Sequence, residues 1–434
     1  MPLPAWTISF SCRNTSLNCR GRKTCSVFWK HRLRLRWERR RCWVMGSEWR
    51  ETTVGEFAPF SYGKGLPQRK RNEFGRIPVY GSNGIVGYHD QALLEGPVII
   101  IGRKGTIGAV HYCDDPCWPI DTTFYVTEAE GRDLRFAYYL LKSLGLDRFN
   151  FDSAVPGLNR NTAHCRRITV PLLPEQHTIA HILGALDDKI ELNRQMNRTL
   201  EAIAAAIFKS WFVDFDPMRA KRDGRDSGPP KEIADLFPDR FEDSELGEIP
   251  KGWKVSKLGD VIDLAYGKAL KASNRIPGNV PVYGSNGPVG FHNEALVKGP
   301  GIVVGRKGNP GIVTWSSRDF YPIDTTFYVV PKGSVSSLFY LFYALKAQDL
   351  PSLSADSAVP GLNRNLAYMS QVLVPSKLVL SALDKQVIPL FEKIEANEDE
   401  SHSLSSLRDA LLPKLLSGEL RVPDAERFIE EADV

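Results

Sequence analysis

Along one stretch of the chain the apolar positions stop clustering in short runs and settle into a helical rhythm. From Pro174-Glu175-Gln176 to Phe212 there is no further proline and only one glycine, Gly184. Leu183, Leu186, Ile190, Asn193, Asn197, Leu200, Ala204, Ile207 and Trp211 follow one another at alternating spacings of three and four. That rhythm predicts a helix over 176–213 with a coiled-coil seam along one face, roughly 55 Å long at 1.5 Å per residue. Adding 204 to each number gives Val387, Leu390, Ile394, Asn397, Ser401, Leu404, Arg408, Leu411 and Leu415, a second and less perfect seam. Pro389 and Pro413 are expected to kink or bound that second helix. Asn193 and Asn397 hold equivalent seam positions. A buried amide there penalises misaligned registers, because misalignment leaves it unpaired. The alternative is that both face solvent or a partner subunit.

The segments before each seam have a different texture. Residues 46–174 and 246–375 are dense in Gly, Pro and Asn, with β-branched runs such as GPVIIIG at 96–102 and GPGIVVG at 299–305. These read as short strands joined by turns, with helical stretches near 133–144 and 336–347. The two segments are copies. WRETTVGEF from Trp49 matches WKVSKLGDV from Trp253, and SYGKGL (61–66) matches AYGKAL (265–270). PVYGSNG stands at 78–84 and 281–287, and PIDTTFYV at 119–126 and 322–329. IGRKG at 101–105 pairs with VGRKG at 304–308, and DSAVPGLNRN occurs at 152–161 and 356–365. A period near 200 residues is far too long for a solenoid and suits a duplicated domain. The expected fold is mixed α/β: two duplicated domains separated by two long antiparallel coiled-coil helices, with an approximate two-fold. Its parts are a domain at 46–174, a central helical spacer at 175–213, a linker at 214–245, a second domain at 246–375, a distal spacer at 376–420 and a tail at 421–434.

Charge changes this picture only locally. The formal net charge is +5, but residues 1–44 hold nine Arg and two Lys against the single acid Glu38. The remainder has 45 basic and 50 acidic residues, so affinity for nucleic acid there must come from local patches. Cys12, Cys19, Cys25 and Cys42 lie in the same basic extension. It reads as an Arg-rich nucleic-acid arm, a cysteine metal site, or upstream sequence translated from a start codon placed too early. Cys113, Cys117 and Cys165 are a sparse set that fits a reducing, cytoplasmic setting. No run of 18 apolar residues occurs, so no membrane partner is expected.

A helical spacer with one reader at each end suits paired half-sites on double-stranded DNA, whose separation the protein scaffold sets. Arg103 and Lys104, with Arg306 and Lys307, offer cations on Gly-flanked loops for phosphates or guanine edges. Ser82 and Asn83, with Ser285 and Asn286, offer hydroxyl and amide groups in Gly-flanked turns. Asn159 and Arg160, with Asn363 and Arg364, add a third cluster. Each has a plainer reading: a turn, a solvated hairpin tip, a tie between globule and helix. PIDTTFYV reads as a core strand, and its Asp121 and Asp324 would repel phosphate. His111, Cys113 and Cys117 have zinc-like spacing, but the second copy carries no ligand there and no fourth ligand is evident, so no metal site is expected. His89 and His292 recur without a visible partner and read as packing residues. The chain has neither the Asn/Asp-Pro-Pro-Tyr/Phe motif of adenine methylation nor a Gly-x-x-x-x-Gly-Lys-Ser/Thr phosphate loop. No catalytic residue is assigned.

Over 46 to about 422 the layout resembles the specificity subunit of type I restriction-modification systems. The most specific stretches are PLLPEQHTIAHILGALDDKIELNRQMNRTLEAIAAAIFKSWFVDFDP at 171–217 and SLRDALLPKLLSGEL at 406–420. The resemblance implies that each copy is a target recognition domain reading half of a bipartite site. It implies that the helices fix the spacing and dock two methyltransferase subunits, through which restriction-translocase subunits attach. S-adenosylmethionine, ATP and magnesium would belong to those partners, with no cofactor in this chain. The alternative is a stand-alone tandem-domain DNA methyltransferase or nuclease. Residues 1–44 have no counterpart in the family pattern. The copies are also more alike than the family often shows, which leads to the expectation of two similar, inverted half-sites.

Overall fold

The computed structural model describes residues 49–72, 74–148, 157–226, 228–333, 335–355, 361–422 and 424–425. The extension 1–44, most of the tail 421–434 and the opening residues of each DSAVPGLNRN block lie outside them.

Each globule opens on a strand that pairs antiparallel with the strand closing it: Arg50–Thr53 with Arg167–Val170, and Lys254–Lys257 with Gln371–Val374. Each globule is thereby closed immediately before its long helix begins. Inside the first, a four-stranded antiparallel sheet runs in the order Ser61–Tyr62, Thr123–Thr127, Val98–Gly102, Val110–Cys113. The second repeats it as Ile262–Tyr266, Thr326–Pro331, Gly301–Gly305, Val313–Ser316. Val98–Gly102 and Gly301–Gly305 are buried at every position, which is why GPVIIIG and GPGIVVG are continuous apolar runs. A hairpin, Ile77–Gly81 with Gly84–His89, takes Trp118–Pro119 as a parallel third strand. Its copy joins Val280–Gly284, Gly287–His292 and Tyr321–Pro322. The predicted helices stand at Leu134–Ser143 and Leu338–Ala347, capped by Asp133 and Ser337, whose side chains accept from the amides of Phe136 and Tyr340. Among the described residues no helix is long and apolar enough to cross a membrane.

The central helix spans Leu173–Phe212 and the distal helix Lys377–Ser417. None of the eighteen seam residues is exposed. The helices run antiparallel. Ile179–Ile190 of the central helix share the first globule's core with Leu404–Leu416 of the distal helix, whereas Ala204–Phe212 share the second globule's core with Val379–Phe391. The rod therefore belongs to both cores, and its waist is polar. Asn193 and Asn397 are buried there, so neither faces solvent. Asn193 donates to Glu400 Oε2 at 2.9 Å and Ser401 Oγ at 3.3 Å, while Asn397 donates to Asn197 Oδ1 at 2.8 Å. The contacts of Asn193 with Ser401 and of Asn397 with Asn197 exchange under the duplication.

Two sequence expectations need correction. Pro389 and Pro413 do not bound the distal helix but lie within it. Both are exposed, so water can serve the carbonyls that lose a donor, while seam residues on the opposite face hold the helix. The stretch 214–245, read as a polar linker, is folded. It forms the helices Asp216–Arg222 and Lys231–Ala234 and part of the hairpin Phe241–Ser244/Gly247–Pro250, and it buries Met218 and Phe237 in the second core. Arg408, the odd polar member of the second seam, is half-buried and pairs with Asp187 Oδ1 at 2.5 Å, an acid that also accepts from Tyr139. At the far end, the distal helix stops at Gly418, whose φ of +73° is the left-handed conformation glycine tolerates. Val422 and Ala425 beyond it are buried in the first globule.

Candidate nucleic-acid interface

One carbonyl organises the surface of each globule. Thr122 O accepts from Ser82 Oγ at 2.7 Å and from the amides of Arg103 at 2.9 Å and Lys104 at 3.1 Å. Thr325 O accepts from Ser285 Oγ at 2.7 Å and from the amides of Arg306 at 2.8 Å and Lys307 at 3.1 Å. The hairpin tip and the Gly-Arg-Lys-Gly loop are thus pinned side by side at the end of the PIDTTFYV block. The third cluster joins them through backbone. The amides of Leu158 and Leu362 donate to the carbonyls of Arg103 and Arg306, each at 2.9 Å. The first glycine of each loop is needed for close approach, since a Cβ on Gly102 would sit 2.1 Å from Thr106 O, and on Gly305 2.2 Å from Asn309 O.

The sequence blocks converge on a residue that the sequence reading left aside. Tyr62 lies between two guanidinium groups, 5.1 Å from that of Arg103 and 4.9 Å from that of Arg160. Tyr266 lies likewise between Arg306 at 4.9 Å and Arg364 at 5.0 Å. Both rings remain half open to water, at 51% and 52% exposure. A guanidinium held over a ring is fixed by its face, which leaves its edge donors for hydrogen bonds, and Arg364 Nη1 points to the Leu264 carbonyl at 3.5 Å. Arg103 and Arg306 spend one such donor on the carbonyls of Asp121 and Asp324, both at 2.9 Å. The available signal for the tyrosines was their recurrence in SYGKGL and AYGKAL.

The predicted site residues divide. Arg103, Lys104, Arg160, Arg306, Lys307 and Arg364 are brought together in pairs of matching clusters. Lys104, Lys307, Asn83 and Asn286 are exposed at loop tips. Ser82 is buried, and its hydroxyl, like that of Ser285, is used to position the loop. Asn159 and Asn363 cap short helices, their Oδ1 atoms accepting from Asn161 and Thr162 and from Asn365 and Leu366. These four side chains build the surface through the contacts that tie them down.

Beneath Arg160, His164 Nε2 accepts the Phe60 amide at 2.9 Å. Burial first, and the Arg160 charge second, hold this imidazole below its ordinary value. Tyr368 takes the equivalent place, its hydroxyl accepting the Leu264 amide at 2.9 Å. His292 is buried against Tyr321, as expected of a packing residue. Cys113 and Cys117 lie in an apolar cluster with Val98 and Ile100.

Comparison with known proteins follows this duplication. The profile of the type I restriction modification DNA specificity domain matches the chain twice, over 46–202 and 250–396. The HindI specificity subunit of Haemophilus influenzae is 26% identical over 428 residues, 80% of this chain and 92% of that protein. The MjaIX specificity subunit of Methanocaldococcus jannaschii is 26% identical over 364 residues, covering 75% and 78%. Among solved structures, the type I restriction-modification S subunit from M. genitalium superposes with a TM-score of 0.56 at 20% identity, over 86% of this chain and 98% of that one, a likeness of fold.

Proposed function

From the premise that this chain belongs to the type I restriction modification DNA specificity family, we propose that it reads a bipartite duplex site, one half with each globule, and leaves the chemistry to partners. The observation that carries this reading is the same cationic cluster built twice, once at each end of one rod. Arg103, Lys104 and Arg160 engage the backbone and base edges of one half-site, and Arg306, Lys307 and Arg364 those of the other. Asn83 and Asn286, exposed beside them, supply amides for base edges. Ser82, Ser285, Asn159 and Asn363 hold the loops in shape, and Tyr62 and Tyr266 hold the arginines. The polar waist around Asn193 and Asn397 fixes the register of the helices and with it the half-site separation. Two methyltransferase subunits dock along the helices, carry S-adenosylmethionine and flip the target base. Restriction-translocase subunits using ATP and magnesium attach through them. Because the two clusters match, the half-sites are similar and inverted about an unread spacer. The named relatives favour this over a stand-alone methyltransferase or nuclease.

Selecting duplexes from a random pool with the purified chain, then measuring affinity against salt, tests the reading. Lys104→Ala and Lys307→Ala, at exposed loop tips, should each make the salt dependence shallower by about one counterion and cost about 1–3 kcal/mol of binding. Wild-type affinity and slope in both variants would remove the proposal.

A further inference from the structure

The likeness of the globules turns their differences into an internal control, and one difference lies on the exposed surface. After Leu66 and Leu270 the chain makes short turns, Gln68–Lys70 and Ala272–Asn274. Both rest on the same clamp. Arg71 Nη1 donates to the Val86 carbonyl at 3.0 Å, and Arg275 Nη1 to the Val289 carbonyl at 2.5 Å. Those carbonyls lie on the outer strands of the hairpins whose tips are Ser82-Asn83 and Ser285-Asn286. Turn and hairpin are thereby tied together in each globule, and the hairpin's tip in turn adjoins the Gly-Arg-Lys-Gly loop.

On that shared frame the two copies present different chemistry. The first exposes Arg69, Lys70 and Arg76 where the second exposes Ser273, Asn274 and Asn279. Phe74 is 94% exposed, and the second copy, one residue shorter here, has no aromatic in its place. The second copy's extra cation, Lys271, replaces Pro67 on the near side of the turn. A lone exposed apolar residue is ordinary. An exposed aromatic between Arg69-Lys70 and Arg76 along the chain, leading into the hairpin whose tip adjoins the clustered arginines, suits a duplex: cations on phosphates, the ring against bases.

We infer that Arg69, Lys70, Phe74 and Arg76 form an added duplex-DNA contact of the first globule alone, making the two half-sites unequal at the base pairs beneath Phe74. This rests on the globules being DNA readers, and the test separates the two ideas. Duplex selection is run with the wild-type chain, Phe74→Ala, and Arg69→Ser combined with Lys70→Asn. The wild type should select two similar half-sites, one with additional constrained positions. Phe74→Ala should relax only those positions and lower affinity about tenfold. The paired substitution should keep the motif and make the salt slope shallower by about two counterions. All these side chains are exposed, so thermal unfolding should not move. If the wild type selects a bipartite motif and both variants match it in motif, affinity and slope, the inference is overturned. Variants that bind DNA normally yet lose methyltransferase partners would make the patch a protein dock and overturn it equally. A wild type that selects no bipartite motif sinks the reading beneath, and the inference with it.

Discussion

The amides of Phe60 and Leu264 occupy equivalent places in the two globules, yet different side chains satisfy them: the imidazole of His164 and the phenol of Tyr368. Only the first can be lost to acid. The folded protein resists the proton that the unfolded chain accepts, so the His164 bond contributes fully above the ordinary histidine value of 6.5 and is lost as pH falls below it. Thermal unfolding of the first globule should therefore weaken between about pH 7 and pH 5, and His164→Gln should flatten that dependence. An equal slope in the variant would reject this. At this scale the sequence was readable where residues recur at structurally demanding places. The cationic loops and the seam asparagines were found that way. Tyr62 and Tyr266 were not, because a tyrosine in a short strand is ordinary until the guanidiniums over its ring are known, and those come from residues 40 or 41 and 98 positions further along. The side chains of Ser82 and Asn159 bond to backbone, which is not legible beforehand, because a polar side chain in a turn gives no sign of whether it points at backbone or ligand.

The two long helices were legible almost to the residue, because a seam with three-four spacing has few other physical meanings. What misled was treating each proline by its intrinsic preference. The cost of Pro389 remains although the helix carries on through it: one donor is missing, and the ring is exposed rather than part of either core. Pro389→Ala should therefore stabilise the protein by up to about 3 kcal/mol in denaturant titrations. A neutral or destabilising result would mean the ring serves a purpose in the fold. The segment 214–245 failed in the opposite direction. Its Arg, Asp and Gly content reads as solvated chain, and its buried residues, Pro217, Met218, Ala220 and Phe237, are too few and too unevenly spaced to show as a period.

For the whole molecule, the proposed two-headed reading makes the rod a converter of sequence length into distance along DNA. A heptad inserted at equivalent points of both helices keeps the seam in phase and lengthens the rod by roughly 10 Å. The selected motif should keep its half-sites and gain spacer. An unchanged spacer would mean that something other than the rod sets the span. The same architecture imposes an order on biosynthesis. The second globule draws its core from one unbroken stretch, Ala204 to Phe391, and has all its parts as soon as that stretch emerges. The first is begun at Val54 but lacks Leu404–Leu416, Val422 and Ala425 until that far later stretch has also emerged. The half that is translated earliest is the half whose core closes last, and a nascent chain halted before Leu404 would carry a completed second head beside an open first one.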